Sequence, residues 1–247
     1  MLHALIVGSL VLSASPGFDV HKDYANAYRA ARKTNQMLLL DMGVRLDFPK
    51  LDQSRLGGYV VCQLPLDATV NVDGEEVKLI DHTSFAELDG QPGVLIIDLK
   101  DERYLGDVVS VLPERHVNLD HLYALLDLPR GTLTQRTLVW ALRVHPERPQ
   151  SVWGTPDPAL VAHAENHSQA QASTNTQYHN MPLGISSSEI VAESWPWNRN
   201  VVDAALDIVH SWRQSSGHWG AACRPYSFFG YDMKKNGSKW FATGVFR

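Results

Sequence analysis

Between residues 23 and 35, Tyr24, Ala27, Tyr28 and Ala31 recur at helical spacing while Lys22, Arg29, Arg32 and Lys33 flank them, which predicts an amphipathic helix. The apolar run that follows, residues 37–41, predicts a buried strand. Residues 59–64 predict a second strand, with a turn over 71–75 after it. A short helix over 84–88 leads to Gly90-Gln91-Pro92-Gly93, then strands over 94–99 and 106–112 and a closing helix over 119–126. Further on, Thr132 or Thr134 caps a short helix that ends before Pro146. Pro146, Pro149, Pro156 and Pro158 mark a connecting stretch. Leu160, Ala164 and Gln171, separated by polar residues, predict a helix over about 158–172.

The chain has 247 residues, enough for one large domain or two ordinary ones, and 44% of them are hydrophobic, which is ample for a packed core and excludes general disorder. A formal net charge of −5 supplies no basic field for phosphate backbones, so no nucleic-acid partner is expected. The charge is uneven: residues 1–130 carry net −7 and residues 131–247 net +2, and all seven tryptophans lie in the second stretch. That shift predicts two separately built parts.

The apolar run over 4–12, followed by Ser13-Ala14-Ser15-Pro16-Gly17, is too short to span a bilayer. It suits the core of a signal peptide or, since no Lys or Arg precedes it, a buried first strand. With export as the expectation, the protein is secreted or periplasmic and the mature chain has no integral membrane span. The two cysteines, Cys62 and Cys223, form no CxxC pair, so they provide neither a zinc ribbon nor a dithiol centre.

The order of elements over residues 20–128, with a strand beginning just after Pro92, resembles the thioredoxin-like families. The resemblance implies a thioredoxin-like domain over 18–128 and makes Pro92 the candidate cis-proline, a geometry that is a deliberate feature of a fold. In the family that proline faces a Cys-x-x-Cys. Here residues 42–50 read Met-Gly-Val-Arg-Leu-Asp-Phe-Pro-Lys, without cysteine. Thiol exchange needs an attacking thiolate and a resolving thiol, so the redox chemistry is excluded and a scaffold or recognition module remains.

The C-terminal part carries Tyr178-His179, Ser188-Glu189-Ile190-Val191-Ala192, an alanine-spaced helix from Val201 to Trp212, Ser215-Ser-Gly-His218-Trp219, and a glycine-punctuated end from Phe229 to Phe246. In order and spacing these resemble the CAP superfamily of cysteine-rich secretory, antigen 5 and pathogenesis-related proteins. Ser188 and Ile190 depart from its usual glycine and asparagine, and a second glutamate found in many animal members is absent near Trp212. The resemblance implies a CAP domain of the α/β/α sandwich type over 159–247; the apolar run predicts a signal segment over 1–17, and the proline-marked stretch a connecting segment over 129–158. The fold class is then α/β throughout.

The resemblance also implies a cleft holding His179, Glu189 and His218. Two imidazoles and a carboxylate suit a zinc-like divalent cation, with His179 and His218 as its candidate ligands, or acid/base work near neutral pH, or a structural hydrogen-bond network. No nucleophile accompanies them, so catalytic residues stay unassigned. The expected function is binding of an extracytoplasmic ligand, metal or protein partner through the cleft. The alternative is a metal-assisted hydrolase, a peptidase or esterase, using the same residues. A third reading has the acidic thioredoxin-like half doing the recognising. His163-Ala-Glu165-Asn-His167 puts two imidazoles on one helical face, but its glutamate is out of place for a His-Glu-x-x-His motif, so a solvated polar face is expected there, with a second, independent metal site as the lesser alternative. Trp195-Pro-Trp197 is expected to pack on a sheet.

Overall fold

The computed structural model describes residues 19–72, 74–182, 184–196 and 200–247. The signal-like segment and Trp197 lie outside the described residues. The fold is α/β, and it contains two main sheets.

In the first half, β1 (Val20–His21) leads to α1 (Tyr24–Thr34), whose first turn is capped by the Asp23 carboxylate accepting from the Asn26 N–H at 2.7 Å. Ala27 and Ala31 form its buried stripe. Asn35, in the left-handed region at φ 54°, ends it, and β2 (Met37–Met42) follows with every residue buried. After a short helix, α2 (Gln53–Leu56), come β3 (Tyr59–Leu64) and a separate hairpin of β4 (Thr69–Val72) and β5 (Glu75–Lys78). The strands β6 (Gly93–Ile97) and β7 (Val108–Pro113) and the helix α3 (Leu119–Leu126) complete this half. The sheet order is β1-β3-β2-β6-β7, with β1, β2 and β3 mutually parallel and β6 and β7 antiparallel to their neighbours. An apolar strand buried on both faces belongs at the centre of such a sheet, and β2 occupies it.

Pro92 does not have the cis bond expected of it: the described peptide bonds are all trans. Just before it, Asp89 (φ 53°) and Gly90 (φ 70°) take left-handed backbone, and the Gln91 N–H bonds the Leu88 carbonyl. The loop after β2, where the family carries its cysteines, is organised instead by the buried Asp41 carboxylate. It accepts from the backbone N–H groups of Val44, Arg45 and Leu46 and from Gln63 Nε2.

The second half opens with α4 (Leu133–Arg143), begun by a reciprocal capping box between Thr132 and Gln135. Then follow β8 (Thr155–Pro156), α5 (Pro158–Thr174), β9 (Ser188–Glu193), α6 (Val201–Gln214), α7 (Ser216–Ala222), β10 (Phe228–Asn236) and β11 (Lys239–Phe246). The sheet order is β8-β10-β11-β9. Helix α5 lies on one face, and α4, α6 and α7 lie on the other. The period-2 alternation of the strands sorts their side chains between these layers. Phe229, Tyr231, Met233, Trp240, Ala242 and Ile190 join the main core, whereas Val245 meets Leu160 and Ala164 of α5.

Within the stretch read as a connection, α4 packs between the two sheets, so one hydrophobic core runs through both halves. Its Arg136 is 2% exposed. The guanidinium donates to Ser110 Oγ on β7 (2.7 Å) and to the carbonyls of Pro129 (2.7 Å), Leu128 (3.2 Å) and Leu125 (3.4 Å). Trp140 donates to the His121 carbonyl at 3.1 Å, and Thr134 donates to the Asp232 carboxylate at 2.6 Å. Across the same seam Arg115 pairs with Asp203 at 2.6 Å. Arg136→Met keeps volume but takes the donor from Ser110 and from the Leu128 and Pro129 carbonyls, and it is expected to cost about 3 kcal/mol in urea unfolding.

Candidate functional site

Glu189 stands on the edge strand β9, opposite Val245 of β11, which in turn pairs with Gly230 of β10. The alternation that turns Ile190 and Ala192 into the main core turns Glu189 to the other face, toward α5. His163 and His167, one turn apart on α5, point back at it: His163 Nε2 lies 3.6 Å and His167 Nδ1 3.2 Å from Glu189 Oε2. The close seating of α5 depends on Gly230, because a Cβ there would stand 2.2 Å from the Leu160 carbonyl carbon. Only glycine admits a helix backbone at that range.

The other carboxylate oxygen, Oε1, accepts from the Asn180 N–H and contacts His179 Nδ1, each at 2.9 Å. His179 Nε2 lies 3.3 Å from His218 Nε2 on α7, whose N-terminus is capped by Ser215. A consistent proton arrangement has His218 Nε2–H donating to His179 Nε2, and His179 Nδ1–H donating to Glu189. The cluster is graded in access: the Glu189 and His167 side chains are 1% exposed, His163 16%, and His179 56%. Tyr178 closes the inner end, its ring edge-on to His167 at 4.9 Å.

Burial pushes the Glu189 carboxyl up, but His167, the Asn180 N–H and His179 outweigh it and hold the group below the usual carboxylate range. It is therefore an anion in the interior. His218 is lowered, first by burial and next by the neighbouring His179 imidazole, with Glu189 opposing.

The structure thus brings together His179, Glu189 and His218, the three residues singled out from sequence, and adds two that sequence reasoning set aside. His163 and His167 do not form a solvated polar face: His167 is buried, and the pair faces the same glutamate. The signal was present in their i, i+4 spacing, but the burial of that helix face depends on Gly230, sixty-odd residues away. Glu165, between them, pairs with Lys234 at 3.0 Å. Trp195 is 58% exposed, which overturns the expectation that it packs on the sheet: it follows the end of β9, and its backbone N–H bonds Asp207.

No family model, curated protein or solved structure matches the chain. Among the described residues no helix is long and apolar enough to cross a membrane.

His218 is expected to titrate below an ordinary histidine, and in His179→Asn its pKa should rise as the neighbouring imidazole is lost, while the lowering due to burial remains. Imidazole NMR during a pH titration reads both. The sign for stability follows from linkage: a histidine lowered in the fold binds fewer protons there than when unfolded. Stability therefore rises with pH between the folded His218 value and the ordinary histidine value, and falls again on acidification through that window.

Proposed function

We propose that the protein is an exported binding protein, made of a thioredoxin-like module without redox chemistry and a CAP-type domain that takes an extracytoplasmic ligand at the cleft of His179, Glu189 and His218. The observation that carries this reading is the contact chain from His218 through His179 to Glu189, three residues distant in sequence and joined at 3.3 and 2.9 Å.

The thioredoxin-like part is supported by the succession of α1, β2, β3, β6 and β7 in one mixed sheet closed by α3, with β6 entering directly after Pro92. The CAP-type part is supported by the layering of α5, a four-stranded sheet, and α4 with α6 and α7. At the mouth of the cleft, two imidazole nitrogens 3.3 Å apart suit a zinc-like cation or a polar group of a larger ligand. Glu165, the one carboxylate on α5 beside the histidines, is engaged by Lys234, so the hydrolase reading gains no base from it.

Two results are expected. In a zinc titration followed by imidazole NMR, the His179 and His218 resonances shift together, and His179→Ala with His218→Ala removes one equivalent of binding. An unchanged stoichiometry in that double variant overturns the mouth as a metal-binding site. In the native protein Cys62, buried and with its thiol pushed up to about 12, fails to react with an aromatic disulfide reagent, whereas the half-exposed Cys223 reacts. Two fast thiols would contradict a non-redox, well-packed first module.

A further inference from the structure

We infer that the protein holds a divalent transition-metal ion of the zinc type at an interior site made by His163 Nε2, His167 Nδ1 and Glu189 Oε2, distinct from the mouth of the cleft. The inference rests on the cleft reading in one respect, that Glu189 is the anchor of both.

Three features of the cluster point to a cation. The first is orphaned polarity. His163 Nε2, both ring nitrogens of His167 and Glu189 Oε2 are buried without a hydrogen-bond partner, although Oε2 lies within 3.2 to 3.6 Å of the two imidazoles. Buried polar atoms are nearly always satisfied, so three orphans from three side chains, His163 Nε2, His167 Nδ1 and Glu189 Oε2, converging on one point mark a missing central partner. The second is distance. Three donor atoms that lie within 4.8 Å of one another, with two separations of 3.2 and 3.6 Å, match the edge of a tetrahedron around zinc, about 3.3 Å for ligand distances near 2.0 to 2.1 Å. The third is the chemistry of the donor set. Two imidazoles with one carboxylate select zinc-like ions over calcium or magnesium, which prefer oxygen ligands.

The surroundings supply the supports such a site requires. His179 Nδ1 and the Asn180 N–H hold the second carboxylate oxygen and fix the direction of Oε2. The i, i+4 placement on α5 presents both imidazoles from one rigid element, and Tyr178 covers His167. Three protein donors leave one position of a tetrahedral set open.

The experiment is a zinc titration of the full chain by calorimetry, after chelator treatment and dialysis, with calcium as the control ion. Wild type is expected to take one zinc more than the mouth accounts for and to show no heat with calcium. His163→Ala and His167→Phe should each weaken this interior equivalent more than tenfold and leave the mouth resonances of His179 and His218 responsive. His218→Ala, which leaves His179 on Glu189, should retain it. Cobalt substitution provides a second readout, with tetrahedral d–d bands in wild type that are lost in His163→Ala. Because His163 is only partly buried, its alanine variant is the one expected to keep the wild-type circular dichroism and melting temperature without metal. Full zinc stoichiometry and unchanged cobalt bands in a folded His163→Ala overturn the interior site while the mouth reading stands. Loss of the interior equivalent in His163→Ala, with no change in the mouth double variant, overturns the mouth reading and supports this one.

Discussion

Arg136 places a guanidinium out of reach of water between two sheets, and the way its donors are answered ties the molecule together. A cation in the interior costs several kcal/mol unless hydrogen bonds repay the desolvation. Here the repayment comes from Ser110 on β7 and from the carbonyls that end α3 and lead into α4. The Leu128 and Pro129 carbonyls lie just past the end of α3, in the turn that leads into α4. One side chain therefore joins that turn to β7, and in doing so it fixes where α4 lies against the first sheet. The other side of α4 carries Leu138 and Leu142 into the core shared with α6 and β10, while Trp140, on the same face as Arg136, bonds α3. The second sheet inherits its position from that helix.

The cluster at Glu189 obeys the same rule with the opposite sign and a different outcome. One carboxylate oxygen is answered by a backbone N–H and an imidazole, and the other faces imidazole nitrogens that are not in hydrogen-bonding geometry with it. Satisfied polar groups in the interior rigidify a fold, whereas incompletely satisfied ones are costly and rare. One chain thus holds both cases, an arginine whose donors are met and a glutamate with one oxygen that has no hydrogen-bond partner.

Much of the architecture was legible in local pattern. The helix spacing of Tyr24, Ala27 and Ala31, the apolar run at Met37 and the capping threonine before α4 each encode their element without reference to the rest of the chain. The outer half of the site was legible too, through His179, Glu189 and His218. What was not legible depends on contacts distant in sequence. Whether His163 and His167 face solvent is decided by the strand that α5 lies on, and a chain of polar residues at i, i+4 reads the same in either case. The trans bond at Pro92 was hidden for a related reason: the chain just before it runs through the left-handed pair Asp89 and Gly90, and their backbone angles cannot be read from residue type alone. Helix α4 looked like part of a connection because flanking prolines dominate that stretch, while its burial comes from both sheets at once.

Gly230 gives the geometry a single point of control. It shares a transverse row of the sheet with Val245 and Glu189, and the α5 backbone rests directly on it. The gap between helix and sheet is therefore set by main-chain contact, which does not relax by rotamer changes as a side-chain spacer would. One absent methyl group acts as a gauge block, and the separation between the histidines of one layer and the glutamate of the other is a property of the scaffold before any ligand arrives.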